Sequence, residues 1–570
     1  MLNRTHSLLI AMTLFLAACG GGGGGGGGGS SPTTTGPAPI VISDAEAARL
    51  VTQATFGVTD SDIEQVKSKG YSTWVSDQLA LAPSASHQAF VERRLTEMQV
   101  TNARATITAT EFYQSFWSQA ASSPDQLRQR VKFALSQIFV ISLADSNVDA
   151  RGAASYYDML GQRAFGNYRD LLQAVTLHPM MGIYLTSLGN QKEDATTGKQ
   201  PDENYSREVM QLMSIGLYKM NTDGSAILDS SGALVPTYTA QDVTGLAKVL
   251  TGMSWYSPTP TATTFKGGSR HPNATVTPMI FYPAYHSTSA KSFLGTNIAA
   301  SATADPEGDL KIALDRLYND PNVGPFMARR LIQNLVTSNP SSAYIGRVAA
   351  VFNNNGSGVR GDMAAVIKAV LLDSEARDSA TAAGSTFGKL REPIVRMANW
   401  MRTFGAVSAS GNYLIGSTAN RSILGQAPLT ASSVFNFYRP GFVPPNTRMA
   451  QQNLTAPEFQ IADEVSVAGY ANTMQTTIGS GIGTGTDVKA AYSQEMALAK
   501  DPAALVDRMN RLLYSGQMSA TLRTQIINAV TGVPMPTGTP TQAQTDAALL
   551  NRAKLAVFLA MVSPEYMIQK

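Results

Sequence analysis

Along residues 203–215 the side chains sort into two lines. Tyr205, Val209, Leu212 and Met213 repeat at helical spacing as an apolar stripe, while Asn204, Glu208 and Gln211 form a separate polar line at i, i+4 and i+7. A carboxylate flanked by carboxamides on an otherwise apolar helix can act as a general acid or base, or ligate a metal. It can equally be a satisfied buried group that fixes how the helix docks. Glu203 and Arg207, four residues apart, make a surface ion pair worth a few tenths of a kcal/mol. Beyond residue 19 the histidines are His87, His178, His271 and His286, and none belongs to HExxH or another close metal pair. The spacing therefore identifies no cofactor and gives a divalent metal no support. His286 stands out because Lys291 follows in a loop-like stretch, and an imidazole near an amine can bind an anion or carry protons. The alternative is a hydrogen bond that anchors the loop. His178, in Leu177-His178-Pro179-Met180, reads as a structural helix end, His87 as a solvated helix start, and His271 as a solvated loop residue. Asp242 stands three residues after Thr239, and a capping-box-like helix start accounts for it as readily as a site role does.

Other chemistries lack their residues. There is no G-x-S-x-G elbow, no Ser-x-x-Lys in a suitable helix start, and no glycine-rich phosphate loop. Asn221-Thr-Asp223-Gly-Ser225 superficially resembles a calcium loop, but its glycine comes at the fourth place and no glutamate stands at the twelfth. Formal net charge is +3 with 15% charged residues and no basic run, so the footprint of a nucleic-acid partner is missing.

The elements that must position these residues read as helices. Ser43 followed by Glu46 is a capping box, with Ala47, Leu50, Val51 and Ala54 behind it at helical spacing. Met363, Val366, Ile367, Val370 and Leu371 mark another face, and 124–141 a third, with Ser123 as cap and Pro124 in the first turn. The same reasoning predicts helices near 59–80, 107–121, 150–163, 168–176, 203–215, 239–251, 306–318, 322–336, 341–353, 388–404, 456–474, 501–514, 519–530 and 541–562. Strand signals are few, the best being a hairpin within 217–238 turned at Asp223-Gly224, with a second bend at Ser231-Gly232. Arg391-Glu392 and Arg439 read as buried-charge locks between helices, with Glu458 a partner for one arginine. Phe435, Phe437, Tyr438 and Phe442 read as core or helix-packing aromatics. The expected fold is mainly α: a large multi-helix body over 43–570 with one or two short β-hairpins, and a lobe break near 378–388.

Several strings together resemble one bacterial family, the domain of unknown function numbered 1800. They are "ARLVTQATFG" from Ala48, "ENYSREVMQLMSIGLY" from Glu203, "YTAQDVTGLAKVLTGMSW" from Tyr238 and "YHSTSAKSFLG" from Tyr285, followed by "VGPFMARRLIQNLV", "REPIVRMANWMRTF" and "GQAPLTASSVFNFYRPGFVPPN". The resemblance runs from about residue 45 to the last residues. In the His286 block this chain has Ser287 where the family often carries Asp, and Ser289 where it carries Gly. The resemblance implies no established activity. It does imply a companion, since members often accompany an exported, sulfatase-like family numbered 1501.

The single cysteine, Cys19, closes Leu16-Ala17-Ala18-Cys19 after a cationic start and a short apolar run from Leu8 to Phe15. That pattern is similar to a bacterial lipoprotein signal over 1–19, in which the Cys19 thiol is acylated after export. It leaves no thiol for disulfides, nucleophilic catalysis or thiolate metal sites. Residues 20–42, an unbroken glycine run followed by Ser, Thr and Pro, make a flexible tether spanning roughly 25–30 Å. Gly20 after the cysteine favours the outer membrane by analogy with Gram-negative sorting. Two functions follow as expectations. The first is a lipid-anchored extracytoplasmic module that binds or positions another exported protein or a polymer. The alternative is a hydrolase-like enzyme with Glu208 as acid, base or ligand, and His286 and Lys291 steering an anionic substrate.

Overall fold

The computed structural model describes residues 41–570, so Cys19, the 1–19 signal and the tether up to residue 40 lie outside the described residues. Helices account for nearly all the regular structure, and many begin where the side chains say they should. Ser43 Oγ accepts from the Glu46 amide and Glu46 accepts from the Ser43 amide at 2.9 Å, closing the box that starts Asp44–Ala54. Pro306 opens Pro306–Tyr318, and Asp362 caps Met363–Leu372. The fold is mainly α, as its periodicity predicts.

The departures have local causes. The span 59–80 is two helices, Asp60–Lys69 and Tyr71–Ala80, because Gly70 turns the chain with φ of 79°. Pro124 does not open a helix: Asp125 holds the cap position of Gln126–Ser136, which stops short of Ile141. Residues 388–404 divide into the strand Lys389–Leu390 and the helix Pro393–Thr403. The predicted hairpin at 217–238 is instead a small clover. Lys219 donates to Val235 (2.8 Å), Ile227 to Lys219 (2.9 Å) and Val235 to Ile227 (3.2 Å), so three short segments pair with one another around turns at Asp223-Gly224 and Ser231-Gly232. The calcium-like string is one of those turns, with Asp223 accepting from the Ser225 amide and hydroxyl.

All four sheets among the described residues are two-stranded and antiparallel. Of these, Lys291–Phe293 with Thr296–Ile298 is a hairpin, turned by Leu294 and Gly295, both at positive φ. It is pressed onto the helix Ala240–Val249, where a Cβ on Gly245 would stand 1.8 Å from the Ser292 carbonyl oxygen. One hydrophobic core extends from Ile42 to Tyr566, and Ile42–Lys570 is a single compact unit with no division at 378–388.

Candidate functional site

His286 and Lys291 come together, on a residue not singled out in the sequence. Asp309, in the first turn of Pro306–Tyr318, lies 2.8 Å from Lys291 Nζ and 2.9 Å from His286 Nε2. His286 Nδ1 meets the Thr251 carbonyl at 2.8 Å, so both ring nitrogens are engaged. All three side chains are buried. They bolt the hairpin and the loop before it to the helix, which is the loop-anchoring reading rather than an open anion site. The two family departures act together beside it: the hydroxyls of Ser287 and Ser289 both donate to Glu193. Burial raises the Glu193 pKa, and these hydrogen bonds outweigh it and hold the carboxyl below its ordinary range.

Asp242 is fully engaged as a cap. One carboxylate oxygen accepts from the Thr239 amide (2.7 Å) and hydroxyl (2.8 Å), and the other from the Leu294 amide (2.6 Å). Glu208 is different. It is 7% exposed and its Oε2 has no hydrogen-bond partner. Burial raises its pKa, opposed by Arg207. No hydrogen bond or ion pair joins Glu208 to His286 or Lys291 among the described residues. One turn on, Gln211 Oε1 accepts from the Tyr238 hydroxyl at 2.9 Å and lines a cleft.

That cleft, about 490 Å³, lies between the clover, the helix Val323–Leu335 and the segment 435–441. Its walls are mainly apolar (Leu217, Tyr218, Phe326, Phe435), and Arg329, Arg330 and Arg439 line it as well. Leu212, Arg330, Gln333, Phe435 and Pro440 are shared with an adjoining chamber of about 30 Å³, large enough for one or two waters. Gln137, Asn334, Tyr438 and Glu458 also line that chamber.

Behind these residues sits a buried polar network. Glu392 Oε2 accepts from Gln137 Nε2 (2.6 Å) and Gln426 Nε2 (2.7 Å), and the Tyr438 hydroxyl donates to Gln137 Oε1 (3.0 Å). Lys389 pairs with Glu458 at 3.0 Å, and both Lys389 and Arg130 donate to the Asn334 carbonyl at 2.9 Å. Unpartnered buried atoms concentrate here: Glu392 Oε1, Glu458 Oε2, Gln333 Oε1, and Nε and Nη1 of Arg130. Burial pushes the Glu458 carboxyl up, Lys389 opposes this, and the neighbouring Glu392 adds to it. Burial brings the Arg330 guanidinium down to about 10.

The Glu458 partner is therefore a lysine, not an arginine, because the strand Lys389–Leu390 carries Lys389 to it. Arg391 instead donates to the Leu513 carbonyl (3.0 Å) and lies over Tyr566 (4.6 Å). Arg439 is exposed over the Phe435 ring, so it locks nothing. Tyr438 is buried as expected, but Phe435 is exposed and Phe437 and Phe442 are half-buried. His87 starts its helix as read, yet it is buried rather than solvated, between Ser115 Oγ (2.7 Å) and Lys132 Nζ (2.8 Å). His178 ends one helix and caps the next, with Nδ1 accepting from the Met180 amide. His271 is half-exposed in its loop.

A larger cavity, about 550 Å³, lies along Phe387–Arg391 and the final strand, but no side chain lining it leaves a buried polar atom unpartnered. The cleft and its chamber are accordingly the candidate site. Arg330 and Gln333 sit inside "VGPFMARRLIQNLV", Glu392 is the second residue of "REPIV", and Tyr438 lies in "NFYRPGF". The convergence of those blocks was the one available signal. No group of three or more His, Cys, Asp or Glu side chains that could hold a metal occurs among the described residues. A family described as "Protein of unknown function (DUF1800)" matches residues 49–568. No curated protein and no solved structure matches the chain.

Proposed function

As this chain belongs to the DUF1800 family of proteins of unknown function, we propose that it is a lipid-anchored extracytoplasmic module that binds or positions another exported protein or a polymer. In this reading acylated Cys19 holds it at the outer membrane, and the 20–42 tether lets the body reorient. The cleft receives the partner, for which an exported sulfatase-like protein of the family numbered 1501 is one candidate. One observation carries the reading: Leu217, Tyr218 and Phe435 remain 47%, 44% and 39% exposed on a single concavity. Apolar side chains gathered in a cleft and left open to water mark a contact surface.

The test compares wild type with Phe435→Asp and Cys19→Ala in affinity capture from membranes, alongside retention on glycan arrays. Wild type is expected to leave with the membrane fraction and to retain a reproducible protein or glycan, which Phe435→Asp loses. If wild type retains neither, the proposal fails.

A second reading, a hydrolase-like enzyme, is favoured by the buried, unpartnered Oε2 of Glu208. Such a carboxyl, its pKa raised by burial, suits a general acid or base. Because Asp309 engages His286 and Lys291, the acid–base role in this reading rests on Glu208 itself.

A further inference from the structure

Two side chains shared by the cleft and the chamber lack a counterpart. Arg330 forms no ion pair and no side-chain hydrogen bond among the described residues. It is half-buried, with its guanidinium 5.4 Å from the centre of the Phe326 ring. A half-buried guanidinium without a counter-ion is placed to pair with an incoming anion. Gln333 is 8% exposed. Its Nε2 donates to the Ser338 (3.1 Å) and Pro440 (3.3 Å) carbonyls, which fixes the amide and leaves Oε1 buried without a donor. The site thus lacks an anion and an N–H or O–H donor, close together, on a ligand with an apolar body.

We propose that the cleft captures the C-terminal peptide of a partner protein. The terminal carboxylate lies on the Arg330 fork, an amide N–H at the terminus donates to Gln333 Oε1, and apolar side chains pack among Leu217, Phe326 and Phe435. A guanidinium engages a carboxylate through two parallel hydrogen bonds. Charge favours an anion here: in the chamber and the network behind it Arg130, Arg330 and Lys389 outnumber Glu392 and Glu458, and Arg329 and Arg439 add two cations in the cleft. The chamber beyond Arg330, about 30 Å³, is too small to take a peptide chain, so a bound chain does not continue into it. This inference rests on the binding-module reading and specifies the partner's chemistry.

The experiment uses the full chain in detergent and fluorescein-labelled hexapeptides ending in Ala-Val-Leu, either as the free acid or as the C-terminal amide. Fluorescence anisotropy is expected to show at least tenfold tighter binding of the acid. Arg330→Gln should erase that preference, and Arg330→Lys, which keeps charge but loses the fork, should reduce it. Gln333→Leu should weaken both peptides while leaving the preference for the acid. Acid and amide binding equally well to wild type would overturn the proposal, as would an internal aspartate peptide binding as well as the free acid. If neither peptide binds while wild type still retains a membrane partner, terminal capture fails and the module reading stands. If partner retention fails too, both fall.

Discussion

Asp309→Asn tests whether the His286–Lys291 pair serves structure or function. Among the described residues the carboxylate is the only ion-pair partner of Lys291, whose side chain is 3% exposed, and it also meets the fully buried His286 ring. Removing it strands a buried ammonium, a change that costs about 3–5 kcal/mol when a buried pair loses one member. For a body of this length, each kcal/mol moves Tm by roughly 1 °C, so the variant should melt about 3–5 °C lower if unfolding stays cooperative. Lys291→Met removes the stranded charge, and the double variant should lose clearly less stability than the two single losses combined. Urea titration followed by tryptophan fluorescence gives all four corners of the cycle. A loss below about 1 kcal/mol for Asp309→Asn, together with lost partner retention, would refute the structural assignment and return His286 and Lys291 to the site.

Two further outcomes follow. Burial pushes His87 well below the usual histidine pKa, with Lys132 adding to it, and brings His178 down to about 3. Both rings stay neutral in the folded state while the unfolded chain takes up protons below about 6.5. Stability is therefore whole above that pH and falls below it, for His178 by about 2 kcal/mol at pH 5. Chemical denaturation from pH 7.5 to 5 should show this, and His178→Gln should flatten the slope; an unchanged slope would contradict the assignment. For Glu208 the sign is opposite. Its raised pKa means the folded state holds the proton more tightly, so the ionised form costs stability as pH rises. Glu208→Gln should keep or raise Tm at pH 7, and a clear drop would refute that account. A cellular phenotype lost at unchanged Tm is what the hydrolase-like reading requires.

Helix positions are legible at the Ser43–Glu46 box, the Thr239–Asp242 box and the proline at 306, while Ser123-Pro124 misplaces its helix start by two residues. What local pattern cannot show is a break that depends on one backbone angle, as at Gly70, or a strand whose partner lies far along the chain, as for Lys389–Leu390 against Ile568–Gln569. The site follows the same division. Glu208 is visible because a polar line interrupts an apolar stripe. The chamber and the network behind it draw Gln137, Gln333, Glu392, Gln426, Tyr438 and Glu458 from separate segments, each an ordinary polar residue in its own neighbourhood. Only folding brings their unpartnered atoms together. Asp309 stays hidden for that reason too, since in sequence it is one acid in the first turn of a helix.

The far-apart contacts also bear on how the chain reaches its folded state. Asp60 pairs with Arg508 across a sequence separation of 448, and Gly57 accepts from Arg402 across 345. Contacts of such high order slow folding, because large loops must close before any contact compensates their entropy. During synthesis, part of the apolar surface of the earliest helices stays uncovered until the last third of the chain arrives. A holdase that shields them through that interval would set the yield of folded protein, independently of its final stability.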